Sequence, residues 1–382
     1  MIFYCESRIF SGQERMFLTA ACALSLDTKC ILIVNRMNAS AIEFSKKNGN
    51  FSEINLLDNF DQRFSSLLVW FRWNRISSLS LFLKKNRLQH STICVSQGRI
   101  ESGNVGVIAG KLARLNVISY IPMVHSHVEM GSGKFSGAMK GLLCSILYKL
   151  PDSFITISNE VAIELRGNCK AEIKVVENFA QQRDLEHIKE PPALLDDKEY
   201  YKLILPGRLL NKQKGQLDLV KALKIVSGKT SQKIVCYIVG DGPDKDLINT
   251  EINKLCLNQN IFMLGNRSDL LSIMYECDLV VLPSIFEGVP LVLLEAAILG
   301  KDIIASDIIG FKEYLSGNDV FSPSNPDSLA DKIISKLQKP TIRAVYSKSL
   351  QYLISRNEKL FTDDFRKALN ALSSGLFIEE NK

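Results

Sequence analysis

Glu287 and Glu295 stand eight residues apart, and the residue types around them suit an anion that carries hydroxyl groups. Pro283, Gly288 and Pro290 break the chain into a loop before Leu291. Residues 291–299 are apolar nearly all round, which reads as a buried helix with Glu295 inside it. Burying even a neutral polar group without a partner costs about 2–7 kcal/mol, so Glu295 should meet something polar. The start of that helix offers unbonded N–H groups and the positive end of a dipole. Carboxylates for hydroxyls and amides for a phosphate or carboxylate would then lie side by side.

These groups need a frame. Residues 278–282 (DLVVL) and 303–306 read as strands on either side of the loop and helix. The same strand, turn, helix rhythm opens the chain, where residues 1–10 lead into Ser11-Gly12-Gln13-Glu14-Arg15 and then MFLTAACALSL, as in a Rossmann-like unit. Gly12 there is either a turn glycine or a point of close backbone approach to a ligand. Further strands are expected at 30–35, 93–95, 117–124, 202–206, 234–239 and 261–264. The strand at 117–124 runs into His125-Ser126-His127. Side chains two apart on a strand share a face, so either or both could point into a site. With no further His or Cys cluster nearby, a metal site is not expected.

At 382 residues, two domains are expected. Hydrophobic residues make up 46% and charged residues 23%, ordinary for a globular protein. No apolar run reaches the roughly 18 residues of a membrane-spanning helix. Residues 1–15 lack a basic segment followed by an apolar one, so no secretory signal is expected. Nine scattered cysteines with no CxxC pair suit a reducing cytoplasm. The net charge of +6 is uneven: residues 1–180 hold 21 Lys and Arg against 14 Asp and Glu, and the remainder hold 26 against 27. Residues 61–90 carry six Lys or Arg, one Asp, and Phe64, Trp70, Phe71, Trp73 and Phe82. That pattern fits a helix on an anionic membrane surface or a core helix with a solvated basic face. Residues 131–150 add Lys134, Lys140 and Lys149 and no acid. No nucleic-acid-binding module is present, so nucleic acid is not an expected partner.

The string EGVPLVLLEA, from Glu287 through Gly288, Val289, Pro290 and Leu291 to Glu295 and Ala296, resembles the E-x7-E signature of family 4 retaining glycosyltransferases. Other strings fall in the same order. Gly207-Arg208-Leu209 with Lys214-Gly215 resembles "GRL…KG", Gly240-Asp241-Gly242-Pro243 is similar to a nucleotide-facing turn, and Gly310-Phe311-Lys312-Glu313 resembles "GG..E" with one glycine lost. The resemblance is dense after residue 200 and rests mainly on element order before it.

The resemblance implies the GT-B fold: α/β, two Rossmann-like domains facing across a cleft, with the last helix crossing back to the first. The expected division is 1–180, with about 363–382 returning to it, a linker at 181–200, and a nucleotide-sugar-binding domain at 201–362. The implied reaction moves a sugar from a nucleotide sugar to a glycan or lipid-linked acceptor, as in bacterial surface polysaccharide synthesis, with retention of configuration. Arg208 and Lys214 would hold the diphosphate, whose charge grows as the bond breaks. Glu295 would hold the ribose, and Glu287 the transferring sugar. Gly207, Gly242, Gly288, Val289, Pro290, Leu291 and Asn266 would line the donor, with Asn266 in the segment that reads the base. His125 or His127 would face the sugar, and Gly12 a phosphate or the acceptor. No cofactor and no metal are expected, and the place of action is the cytoplasm, with the inner membrane face as a candidate docking surface. A sugar-nucleotide epimerase, or a noncatalytic subunit of the same fold, would carry much of the same sequence.

Overall fold

The computed structural model describes residues 1–58, 72–87, 90–124, 141, 143–180, 199–338 and 346–374. The chain divides into two units, Met1–Asn178 with Glu358–Lys382, and Phe179–Asn357.

The first unit holds β1 (Ile2–Cys5), β2 (Ile31–Asn35), β3 (Glu53–Leu57), β4 (Thr92–Ser96), β5 (Asn116–Tyr120), β6 (Ser153–Thr156) and β7 (Glu172–Val175). They form one parallel sheet in the order β3-β2-β1-β4-β5-β6-β7, with Ile2 of β1 opposite Ile31 on one side and Ile93 on the other. Strands β1, β2, β4 and β5 are buried along their whole length. Parallel strands covered by helices on both faces need such nearly unbroken apolar runs. The helices are α1 (Gly12–Asp27), α2 (Ala39–Asn48), α3 (Trp73–Asn86), α4 (Asn104–Leu112) and α5 (Asn159–Arg166).

The second unit holds β8 (Tyr201–Pro206), β9 (Ile234–Val239), β10 (Ile261–Gly265), β11 (Leu279–Leu282), β12 (Asp302–Ser306) and β13 (Val320–Phe321), again parallel, in the order β10-β9-β8-β11-β12-β13. Its helices are α6 (Asn211–Lys214), α7 (Gln216–Lys229), α8 (Lys245–Lys254), α9 (Leu270–Glu276), α10 (Leu291–Ile298), α11 (Ile309–Lys312), α12 (Pro326–Gln338) and α13 (Lys348–Ser355). Leu205, Val220, Ile238, Val281, Ile304 and Leu329 meet in one core between sheet and helices. The observed fold class is therefore α/β with two Rossmann-like parallel-sheet units.

The last helix, α14 (Glu358–Ser374), packs in the first unit. Phe365 packs against Tyr120 with ring centroids 5.7 Å apart, Asn116 Nδ2 donates to the Leu372 carbonyl at 2.9 Å, and Arg366 pairs with Asp27 at 2.6 Å. The return starts at Glu358 rather than near Asp363, because α13 ends at Ser355 and Arg356-Asn357 break what reads as one helical run from 347 to 372.

Several strands are shorter than their apolar runs. β1 stops at Cys5 instead of Phe10, and just beyond it the buried Glu6 carboxylate accepts from Gly103 N at 2.7 Å and Tyr4 Oη at 3.0 Å. Burial pushes the Glu6 pKa up from the ordinary carboxylate value. Asp278 lies just before β11, where its carboxylate accepts from Lys202 N at 2.8 Å. In α3, Ile76, Leu79 and Leu83 point inward, while Trp73 and Leu81 are 55% and 61% exposed. Most of the basic aromatic stretch before it, of the 131–150 stretch up to 142, and of the linker lies outside the described residues. Among the described residues no helix is long and apolar enough to cross a membrane.

Candidate functional site

Open parallel sheets bind ligands beyond the carboxyl ends of their strands, where the strand order reverses. In the second unit that point lies between β8 and β11: the chain moves outward from β8 through β9 to β10, and from β11 through β12 to β13. The segments after β8 and β11 carry Arg208, Lys214 at the end of the short helix α6, and Glu287.

Backbone packing draws these loops together. Gly215, between α6 and α7, has φ +64°, and a Cβ on it would lie 2.1 Å from the Pro283 carbonyl. Ile285 N donates to the Gln213 carbonyl at 2.7 Å. The turn after β8 therefore lies directly on the loop after β11. On the other side, Leu209 N donates to the Asp241 carbonyl at 3.0 Å, and Gly242 lies so near Leu209 that a Cβ would sit 2.3 Å from its carbonyl oxygen. Gly242 thus serves a backbone contact between neighbouring loops, as does Gly240, whose absent Cβ would lie 2.0 Å from the Gly207 carbonyl.

Where the first two loops meet, the Lys214 ammonium pairs with Glu287 Oε1. Their side chains are 18% and 9% exposed. Ser284 Oγ donates to the same Glu287 oxygen at 3.1 Å, and Ser306 Oγ donates to the Ser284 carbonyl. Ser284 and Ser306 escape notice in the sequence. The only signal for Ser284 is a hydroxyl three residues before Glu287, and nothing marks Ser306. Lys214 passes over Gly207, and its Nζ lies 3.8 Å from where a Cβ on that glycine would be. Gly310 of α11 packs under the loop, its absent Cβ 2.1 Å from the Gly288 carbonyl. Pro206, Lys214, Ser284, Pro290, Val292 and Phe311 line a small hollow there.

Arg208 is exposed at the rim, with no ion-pair partner among the described residues. Pro290 caps α10, and Leu293 N makes the first bond back, to the Pro290 carbonyl at 3.0 Å. The earlier amides of Leu291 and Val292 are the unbonded donors that every helix start presents. Val289 is buried in the loop ahead of them. Glu295 departs from the reading of a wholly buried helix. α10 buries Leu293, Leu294, Ala296 and Ala297 but leaves Leu291, Val292, Glu295 and Ile298 half-buried. One helical face is thus partly open, and Glu295 stands on it, so its carboxylate avoids the full burial cost.

Asn266 is exposed beyond β10, two strands from β8, where the preceding Gly265 carbonyl accepts from Gly240 N at 2.8 Å. Gly12 begins α1 in the other unit. His125 and His127 lie outside the described residues. Among the described residues no group of three or more His, Cys, Asp or Glu is placed to hold a metal ion.

Comparison with known proteins puts this geometry in context. Residues 187–355 match the family model of glycosyl transferases group 1. An uncharacterized glycosyltransferase of Methanocaldococcus jannaschii is 30% identical over 168 residues, 42% of this chain and 41% of that protein. A transferase of Campylobacter jejuni, named as adding α-N-acetylgalactosamine to a diphospho-undecaprenol-linked saccharide, is 27% identical over 216 residues, 56% of this chain and 58% of its own. The chain spans about half the length of the curated relatives it matches. HepE of Anabaena, solved with UDP, superposes with a TM-score of 0.71 at 17% identity, over 97% of this chain and 99% of that one. Residues 187–355 are thus similar to the group 1 glycosyl transferases in sequence, and nearly the whole chain shares the fold of HepE.

Proposed function

We propose that this protein is a retaining glycosyltransferase that moves a sugar from a nucleoside-diphosphate sugar to a glycan or lipid-linked acceptor in the building of a bacterial surface polysaccharide. The Lys214–Glu287 pair at the strand-order reversal carries the proposal, because it sets a cation for a diphosphate beside a carboxylate for sugar hydroxyls. Arg208 at the rim and the Leu291 and Val292 amides would take the remaining diphosphate oxygens. Glu295, on the open face of α10, would accept from ribose hydroxyls, and Asn266 would lie toward the base. In the reaction, the bond from the anomeric carbon to the diphosphate oxygen breaks and one to the acceptor oxygen forms on the same face. The acceptor hydroxyl proton passes to the departing diphosphate. Lys214 and Arg208 stabilise the charge that grows there, and this part needs no metal. His125 or His127 would face the transferring sugar, and Gly12 a phosphate or the acceptor.

The acceptor class draws support from the diphospho-undecaprenol named for the Campylobacter relative. It also draws support from α3, which has no acidic residue and exposes Trp73, Leu81, Lys84 and Lys85. Such a face suits the inner surface of an anionic membrane.

Calorimetric titration with UDP and GDP tests the donor site. One should bind, and Arg208→Ala should weaken it about 10- to 100-fold, the worth of a charge-assisted hydrogen bond. Glu295→Ala should weaken binding too, while Glu287→Ala should slow turnover without weakening binding. Absence of binding by either nucleotide, or unchanged affinity in Arg208→Ala and Glu295→Ala, would defeat the proposal. Analysis of the products separates transfer from epimerisation of the donor.

A further inference from the structure

Gln216 is the first residue of α7, and its side chain is fully buried. Its Nε2 donates to the Arg208 carbonyl at 2.8 Å. Its Oε1 has no hydrogen-bond partner among the described residues. A buried acceptor left without a donor is destabilising, so a plain apolar side chain of this length would serve packing better. Packing therefore does not account for an amide at this position.

The Nε2 bond has a distinct consequence. The turn from Gly207 to Leu210 is held from the β9 side by Leu209 N on the Asp241 carbonyl. Gln216 holds it from the α7 side, at the carbonyl of Arg208 itself. α7 is in turn fixed against the loop after β11 through Gly215 and the Pro283 carbonyl. One side chain thus ties the backbone of the rim arginine to the loop that leads to Glu287. The Arg208 carbonyl also accepts from Leu210 N at 2.9 Å, so losing the amide would not leave that oxygen unpaired.

We infer that Gln216 is a positioning residue that holds Arg208 at the angle needed to meet a departing diphosphate, at a cost to the stability of the fold. The inference rests on the donor-site reading above. Its role acts through Arg208, so its loss should appear in turnover and not in folding.

Gln216→Met keeps the length, removes the orphaned oxygen and cuts the tether. Release of UDP or GDP from a panel of UDP- and GDP-hexoses gives kcat and KM, with thermal melting measured on the same samples. We expect a melting temperature equal to or above that of the parent and a kcat about tenfold lower with KM little changed, since misplacement of a charge-stabilising group is felt most in the transition state. In an Arg208→Ala background the same change should have no further effect. A fall in melting temperature that persists with the kcat loss in the Arg208→Ala background would overturn the inference and make Gln216 a structural residue. Unchanged kcat in Gln216→Met, with a loss in Arg208→Ala, would overturn it and leave the donor site standing. If Arg208→Ala itself turns over normally, the Arg208 assignment fails and the inference fails with it.

Discussion

Replacing Gly310 by alanine should damage a loop that Gly310 does not belong to. A Cβ at this position would lie 2.1 Å from the Gly288 carbonyl oxygen, 2.9 Å from that of Glu287 and 3.1 Å from Glu287 Cβ. Ordinary contact begins near 3.4 Å, so α11 and the loop must part by about 1.3 Å. The obstacle is backbone, which has no rotamer to change. Overpacking of this kind costs about 1–3 kcal/mol, and in a unit of this size each kcal/mol lowers the melting temperature by about 2–4 °C. A shift of about 1 Å in a group that orients substrate can cost about a hundredfold in rate. Gly310→Ala should therefore melt lower and, at a temperature where it is folded, turn over a nucleotide sugar about a hundredfold more slowly. Gly317→Ala is the control, since nothing lies within 4 Å of its Cβ position, and it should match the parent in both measurements. If Gly310→Ala melts and turns over like Gly317→Ala, the close packing of α11 on the loop is wrong. If it melts lower but turns over normally, the 287–288 loop takes no part in the reaction.

Two further predictions concern the first unit. His90 is buried, and desolvation, with help from the Met1 amine and Lys29, lowers its pKa from 6.5 to about 4. Between those values the unfolded chain takes up a proton that the folded chain refuses, so stability should fall as pH drops from about 6.5 toward 4. The limit is about 3 kcal/mol, and with solvent screening about 1–2 kcal/mol should appear in urea melts and vanish in His90→Gln. For α3, sedimentation with phosphatidylglycerol vesicles should exceed that with phosphatidylcholine, and Lys84→Glu with Lys85→Glu should weaken it about 30-fold or more, at about 1 kcal/mol per cation; equal binding to both vesicle types would remove the membrane from the proposal.

Most strands were legible because parallel sheets covered on both faces require runs such as ILIVN and IVCYIV, which admit few other readings, whereas the more exposed β3 (EINLL) and the two-residue β13 escaped notice. The strand ends were not legible, because the groups that meet there are distant in sequence. β1 ends where Glu6 reaches Gly103, and β11 begins after Asp278 turns to Lys202. The charged members of the candidate site could be named because Arg208, Lys214, Glu287 and Glu295 stand in recognisable strings. Gln216 could not, since a glutamine after Lys-Gly reads as an ordinary helix start. Its part depends on which carbonyl lies above it. The half-open face of α10 was hidden for a similar reason: LVLLEAAI is apolar enough to be buried all round, and only its neighbours decide which side remains open.

The partner of Lys214 leads to the least intuitive expectation. Its ammonium is paired with Glu287 in a place where both side chains are largely shielded from water. A diphosphate arriving at the hollow must compete for that ammonium, so part of its attraction is spent on separating the pair. Arg208, exposed and without an ion pair among the described residues, makes no such trade. Removing the Glu287 charge while keeping its shape should free Lys214 for phosphate, and Gln at 287 can still accept from Ser284 Oγ. A charge-assisted hydrogen bond is worth about 1.5–3 kcal/mol. Glu287→Gln should therefore bind UDP or GDP about tenfold more tightly than the parent. It should also transfer sugar more slowly, because the group that holds the sugar's hydroxyls has lost its charge. Tighter nucleotide binding with slower transfer separates this arrangement from one in which Glu287 merely supports the loop, for which both would weaken together. Calorimetry with the nucleotide and turnover of the nucleotide sugar decide it, and weaker binding in Glu287→Gln would refute the exchange of partners at Lys214.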